Sequence, residues 1–349
     1  MAGVFHGICV HCVRDKILMK IDNSYELRSD LFKRLLNVLW LRPERALVDS
    51  HQLFTAMNLL GEDFEQPSLE YGCTEGTNTF IMLGGEFDLE HDDYSEVLWD
   101  KDSHKKSDMK NDYFNSFSHD YVPKIKKYPK QKFSVGVSWK KAHIEKSNRL
   151  GVFERTKRIK LNSPLNQFED NSFATIWSSN MFWSNDDTLR MLLNEHRRIL
   201  KEDGRIITIF PDESQKNHVL LQHINQVPKS YHQWMHDIDR GKYVNLTRHA
   251  YSLEKWKQIF SECGLTITNN RRFLPSLVGE VYEIGFRPMF SVFMNMYEKL
   301  KSSSSHDFLD VKKHWLDTCY HFFSPMCDTG WMEKMGMERL WHAFELRKT

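Results

Sequence analysis

The residues with the types and spacing to do chemistry lie in Pro67-Ser-Leu-Glu-Tyr-Gly-Cys-Thr-Glu-Gly-Thr-Asn-Thr79. A short apolar segment carries a carboxylate, Glu70, and a loop with two glycines, Gly72 and Gly76, follows it. The loop runs into Thr77-Asn-Thr-Phe-Ile-Met82, which reads as the opening of a helix. Glycines let backbone N–H groups approach a ligand closely, a helix N-terminus favours negative charge, and the carboxylate accepts hydrogen bonds. Together they form a nucleotide-binding corner. A second group follows the clearest strand of the chain, where Pro211-Asp212-Glu213 offers Asp212 as a base or orienting group. His218, His232 and His249 stand behind it for proton transfer. Arg287 could pair with an anionic acceptor or with a surface carboxylate. Cys9-Val-His-Cys12, with His6 and His11, is half of a zinc or redox pattern, but no second CxxC completes it. No metal is expected there.

Elements must hold these groups in place. Residues 24–60 carry apolar residues at helical spacing, broken at Arg42-Pro43-Glu44, and predict two helices that cap the rest. Strands are expected at Leu69–Tyr71, Phe133–Val137, Arg158–Leu161, Phe173–Trp177 and Arg205–Phe210. Two more are expected at Leu265–Phe273 and 278–286. Helices are expected at 77–85, Ala142–Leu150, Thr188–Leu200 and from Ser252 to Phe260. Strands alternating with helices of this length argue for a mostly parallel sheet covered on both faces. Residues 86–132 are dense in Asp, Lys, His and Ser with aromatics between, and read as a partly mobile insertion. The polar, His-rich stretch 214–250 reads as a lid-like segment, and 286–349 as a helical C-terminal extension.

Composition narrows the class. The net charge is +1 over 349 residues, so no bulk field draws the chain to nucleic acid or an acidic membrane. No apolar run approaches the roughly 20 residues of a membrane span. Six scattered cysteines form no disulfide framework, and a cytoplasmic location is the expectation. Oligomeric state is not legible.

These pieces resemble the class I, Rossmann-like methyltransferases that use S-adenosylmethionine. Leu69-Glu-Tyr-Gly-Cys-Thr-Glu-Gly76 is similar to that superfamily's first motif, an acid followed by Gly-Cys-Gly-x-Gly. Val135-Gly-Val-Ser-Trp-Lys-Lys-Ala142 sits where its second strand and helix begin. Phe168-Glu-Asp-Asn-Ser-Phe-Ala-Thr-Ile-Trp-Ser-Ser-Asn180 resembles its segment before and along strand four. Glu195-His-Arg-Arg-Ile-Leu-Lys-Glu-Asp-Gly-Arg205 matches its helix and turn into strand five. The resemblance covers residues 66–285, with 1–65 as an N-terminal helical cap.

The resemblance implies a three-layer α/β fold with about seven mostly parallel strands, S-adenosylmethionine as cofactor, and a small-molecule or sugar-containing methyl acceptor. Glu70, Gly72, Thr74 and Gly76 would line the methionine side of the cofactor. Ser138 and Trp139 would lie by the ribose and adenine, and Asn162 and Ser163 at the adenine edge. Asn180 would close the cofactor site, with Phe182, Trp183 and Arg287 on the acceptor and Asp212 or His249 moving its proton. The chain departs from the pattern at Thr74, where the family keeps glycine, and at Ser138 and Asn162, where it keeps acids. Those three departures leave a catalytically inert binding or scaffold relative as the alternative. A nicotinamide-dependent dehydrogenase would want Gly-x-Gly-x-x-Gly and an acid about 20 residues on, and the spacing fails. No nucleic-acid or membrane partner is expected.

Overall fold

The computed structural model describes residues 10–96, 121–179, 181, 184–219, 249–285, 289–302 and 305–349. Four helices and five strands lead to the centre of the sheet. They are α1 (Val10–Val38), α2 (Pro43–Leu60), β1 (Ser68–Tyr71), α3 (Thr77–Met82), β2 (Glu86–Phe87), β3 (Ile125–Lys127), β4 (Phe133–Ser138), α4 (Lys141–Leu150) and β5 (Phe153–Arg158). The chain continues through β6 (Phe173–Ser178), α5 (Asp186–Ile199), β7 (Leu200–Pro211), α6 (Leu253–Glu262) and β8 (Leu265–Pro275). It ends in α7 (Ser276–Ile284), α8 (Phe290–Lys301), α9 (Ser305–Phe323), α10 (Thr329–Lys334) and β9 (Arg339–Lys348).

Seven strands form one sheet in the order β5-β4-β1-β6-β7-β9-β8. The pairs from β5 to β7 are all parallel, and β9 lies antiparallel between β7 and β8. The expected α/β fold is therefore present. Alternation along each strand splits the core in two. Leu69, Tyr71, Ile176 and Ile206 face α5 and α6, among Leu189, Leu193, Trp256 and Phe260. Trp177, Ile207 and Ile209 face the other way, against α1 and α2, among Leu35, Leu47 and Leu53. The N-terminal helices thus share a core with the sheet. Arg205 fixes this docking by donating to the carbonyls of Leu59 (3.0 Å) and Leu60 (2.6 Å), orphan acceptors at the end of α2.

Several expectations are corrected. Residues 276–284 are helix, not the last strand. Leu277, Val278, Val281 and Tyr282 fall at helical spacing and pack on the core that holds α2, so tertiary contact overrides the strand preference of the two valines and the tyrosine. The last strand is β9, so 286–349 is not an all-helical extension: α7 to α10 are an insertion between two neighbours in the sheet. The strand expected at Arg158–Leu161 ends at Arg158 instead, because Phe153 pairs with Phe133 and sets the register. β7 opens at Leu200, ahead of the expected Arg205.

The insertion is more firmly rooted than its composition suggests. Lys146 donates to Asp93 at 2.6 Å with both side chains buried, and the Tyr121 hydroxyl donates to the same carboxylate at 3.0 Å. Asp92 accepts from Trp40 and Tyr297, and the buried Lys312 ammonium donates to the carbonyls of Leu89 and His91. The described ends of 86–132 are pinned. Its middle, and most of the 214–250 segment, lie outside the described residues.

Candidate functional site

The chain reverses direction across the sheet at β1, which has β4 on one side and β6 on the other. Crevices at the carboxyl ends of strands flanking such a point are where open α/β sheets bind ligands. The loop after β1 fills it with three left-handed residues at alternate positions: Gly72 (φ 76°), Thr74 (φ 47°) and Gly76 (φ 84°). The N–H groups of Gly72 and Cys73 both donate to the Val137 carbonyl at 3.0 Å, which ties the loop to β4. Gly76 packs against α4, where a Cβ would stand 3.0 Å from the Ser147 Cβ. Thr74 holds a conformation that disfavours a β-branched residue by about 1–2 kcal/mol. The loop therefore keeps a glycine-like path although one glycine is gone.

Glu70 points to the α3 side of the sheet and is buried, 3% exposed. The Thr79 hydroxyl of α3 lies 2.8 and 2.7 Å from its two oxygens and donates to one of them at a time. Burial pushes the Glu70 carboxyl up to about 8, against the lowering effect of that hydrogen bond. Glu70 is thus mostly protonated at neutral pH and locks α3 to β1. A carboxyl whose folded value lies above its unfolded one, 4.5, stabilises the fold most below that pH. The contribution fades as pH rises towards 8. Glu70→Gln should therefore flatten the fall in urea midpoint between about pH 5 and 8 that the native chain shows. An unchanged slope would mean that the carboxyl is ionised in place.

Among the buried side-chain atoms without a hydrogen-bond partner in the described residues are Thr77 Oγ1, on the first turn of α3, and Asn162 Oδ1. Asn162 also takes a left-handed conformation, φ 54°, after β5. Ser163 turns back to donate to the Lys160 carbonyl at 2.6 Å. Ser138, at the end of β4, is fully buried with its hydroxyl 3.2 Å from His143 Nδ1 on α4. Trp139 is half-buried, and its carbonyl accepts from Arg158 at 3.1 Å. Asn180, Phe182, Trp183, His232 and Arg287 lie outside the described residues.

Asp212 caps the turn after β7. Its Oδ1 accepts from the Ser214 N–H (3.0 Å), the Ser214 hydroxyl (2.6 Å) and Arg272 (3.0 Å). Its Oδ2 accepts from His342 Nε2 at 2.7 Å. Burial alone would raise this carboxyl, but the Ser214 and His342 hydrogen bonds and the Arg272 charge outweigh it and hold it low. Four donors suit an orienting carboxylate better than a base. His249 is buried close by, because Tyr251 bridges Asp212 and its carbonyl accepts from the Glu213 N–H. His218 sits between Glu280 (2.8 Å) and Glu338 (3.1 Å).

Sequence reasoning missed three partners. His342, buried on β9, reaches Asp212 and lies 3.0 Å from Asn270 Oδ1. His143 was hidden in a helix, and its only signal was the spacing from Ser138. Asp49 of α2 accepts from Asn78 Nδ2 at 3.1 Å and fastens α3 to the N-terminal helices. Among the described residues no cluster of three His, Cys, Asp or Glu could hold a metal, and no helix is long and apolar enough to cross a membrane.

No family model matches the chain, and no curated relative is found. Solved structures are similar at low identity. A candidate sarcosine dimethylglycine methyltransferase from Galdieria sulphuraria is 14% identical over 88% of each chain, with a TM-score of 0.42. The geranyl diphosphate C-methyltransferase of Streptomyces coelicolor A3(2), solved with Mg2+, geranyl diphosphate and S-adenosyl-L-homocysteine, is 12% identical. It matches over 88% of this chain and 84% of its own, with a TM-score of 0.41. The YcgJ protein of Bacillus subtilis is 13% identical over 86% of this chain and 99% of its own, with a TM-score of 0.38. Likenesses at this level add no weight to the strand order and loop geometry.

Proposed function

We propose that the chain is an S-adenosylmethionine-dependent methyltransferase acting on a small-molecule or sugar-containing acceptor. The observation that carries this reading is the loop after β1, which keeps left-handed backbone at positions 72, 74 and 76 at the point where the sheet reverses. The bound cofactor supplies an electrophilic methyl group whose leaving group is neutral, so the protein's work is alignment and exclusion of water. Gly72, Thr74 and Gly76 would carry the backbone past the methionine part, with Thr77 Oγ1 as a hydrogen-bonding group beside it. Asn162 Oδ1 is an acceptor of the kind an adenine amino group needs, and Ser163 would lie along the same edge. Ser138, Trp139 and Asn180 would complete the cofactor side.

Asp212 would orient the acceptor, with His249 as the neighbouring group able to take a proton. Phe182, Trp183 and Arg287 would contribute acceptor contacts. The inert reading is favoured by one observation, the Ser138 hydroxyl already engaged by His143 where the family keeps an acid. Calorimetry with S-adenosylmethionine and S-adenosylhomocysteine separates the two. Binding of either in the micromolar range supports the enzyme, and no heat with either at millimolar concentration removes it. Thr74→Gly should hold or improve that affinity, since it removes a Cβ and backbone strain. A tenfold loss would make the Thr74 hydroxyl itself a ligand contact.

A further inference from the structure

The two ends of α2 lie at opposite edges of the sheet. The carbonyls of its last residues, Leu59 and Leu60, accept from Arg205, which pairs with Thr175 and so lies level with Ser68, where β1 begins. Its first turns therefore lie towards the edge where β1 ends, and the hydrogen bond from Asn78 to Asp49 puts them beside the opening of α3. That is the edge at which such sheets bind ligands.

Arg45 stands there, held from two sides. Its Nε donates to Asp49 Oδ1 at 2.7 Å, and the guanidinium also donates to the Tyr282 hydroxyl of α7. Asp49 is a firm anchor, with 3% of its side chain exposed and its other oxygen bonded by Asn78 at 3.1 Å. The Arg45 side chain is 45% exposed, and among the described residues Asp49 is the only carboxylate in ion-pair contact with it. Arg42 pairs with Glu44, and Glu280 of α7 is held by His218. Glu283, about 100° round the helix from Tyr282, is buried.

An arginine–aspartate pair one turn apart on a helix adds little to stability and needs no third partner. Here two elements, α2 and α7, orient one guanidinium, and its side chain still stays half-exposed at the ligand edge. A planar guanidinium fixed in this way presents parallel N–H donors that match the two oxygens of a carboxylate. Asp49 already balances its charge, so the position suits a monoanion; a phosphate dianion would need further positive charge. Thr77, one residue before Asn78, gives a second sign of a polar ligand. It is 2% exposed, and its hydroxyl has no hydrogen-bond partner among the described residues. We infer that Arg45 and Tyr282 form a carboxylate-binding subsite at the ligand edge. The assignment rests on the methyltransferase reading, and the carboxylate is that of the cofactor's methionine part or of the methyl acceptor.

Calorimetry of the full chain compares S-adenosylhomocysteine with S-adenosyl-3-thiopropylamine, the same molecule without its carboxylate. Wild type should prefer the carboxylate by at least about tenfold, the scale of one charge-assisted hydrogen bond. Arg45→Gln should erase that preference while the decarboxylated ligand binds as before, which also shows that the variant is folded. Arg45→Lys should restore part of it, and Tyr282→Phe should reduce it about threefold by loss of one neutral hydrogen bond. That result puts the cofactor's carboxylate on Arg45. Where wild type shows no preference, or Arg45→Gln keeps it, succinate and benzoate are titrated into the chain saturated with S-adenosylhomocysteine. Binding of either that Arg45→Gln abolishes puts the acceptor's carboxylate there instead. No dependence on Arg45 in either arm overturns the subsite and leaves the methyltransferase reading standing. No binding of S-adenosylhomocysteine at all removes both.

Discussion

Lys146→Met is expected to lower the unfolding free energy by about 3–5 kcal/mol, the largest effect of any single polar substitution proposed for this chain. The ammonium and the Asp93 carboxylate have 0% and 4% of their side-chain surface exposed, so removing one leaves the other charged in a site that water does not reach. The deficit should shrink sharply in Lys146→Met with Asp93→Asn, because a buried pair replaced by neutral groups of similar size is often tolerated. A double variant as unstable as the single would mean that packing, and not the stranded charge, sets the loss. Asp93 adds a pH signature. Burial would raise its carboxyl, but Lys146 and His91 outweigh this and hold it far below its ordinary value of 3.8. The pair therefore contributes fully above about pH 4 and is lost progressively as the solution is acidified below it, in the direction opposite to Glu70. Chemical denaturation of wild type and both variants at pH 7 and pH 3 reads both effects together.

Gly76→Ala is expected to weaken S-adenosylhomocysteine binding by more than tenfold and to destabilise the fold by about 2 kcal/mol. Two causes add. The position sits at φ 84°, where a side chain is strained by about 1–2 kcal/mol. A Cβ would also stand 3.0 Å from the Ser147 Cβ and 3.3 Å from the Ser147 Cα, so loop and α4 must separate. Gly61 supplies the control. It has φ 79° but nothing within 4 Å of the added atom, at the end of α2. With ψ 173° its backbone lies in a region that is essentially glycine's alone, so Gly61→Ala should lose about 1–3 kcal/mol by strain without collision and leave ligand affinity alone. Calorimetry and urea unfolding on both variants separate strain from collision. Equal affinity in the two would remove the Gly76 loop from the binding site.

Much of the scaffold was legible because its signals are local. The 3.6 and 2.0 periodicities marked α5, β6 and β7, and Glu70 with its glycines marked the loop. The residues that failed share a physical cause. Leu277, Val278, Val281 and Tyr282 read as strand on propensity, and only the groove they fill makes them a helix. β9 went unread inside the stretch 286–349 expected as a helical extension, because its neighbours in the sheet, β7 and β8, are far away in sequence. His342 was lost with it, so Asp212 looked like an available base when its oxygens were already claimed. Thr74 was the informative departure: its identity was plain in the sequence, whereas its left-handed backbone needed coordinates.

The position of β9 also bears on how the chain is made. Residues 339–348 fill the slot between β7 and β8, whose own residues leave the ribosome well before them. Until then two long strands carry unpaired edges in a nascent chain, and several helices must be synthesised before the gap can close. Such long-range pairing slows folding and leaves exposed edges for wrong partners. Vectorial synthesis thus gives the half of the sheet from β5 to β7 a head start, and completion of the other half waits for its last-made strand.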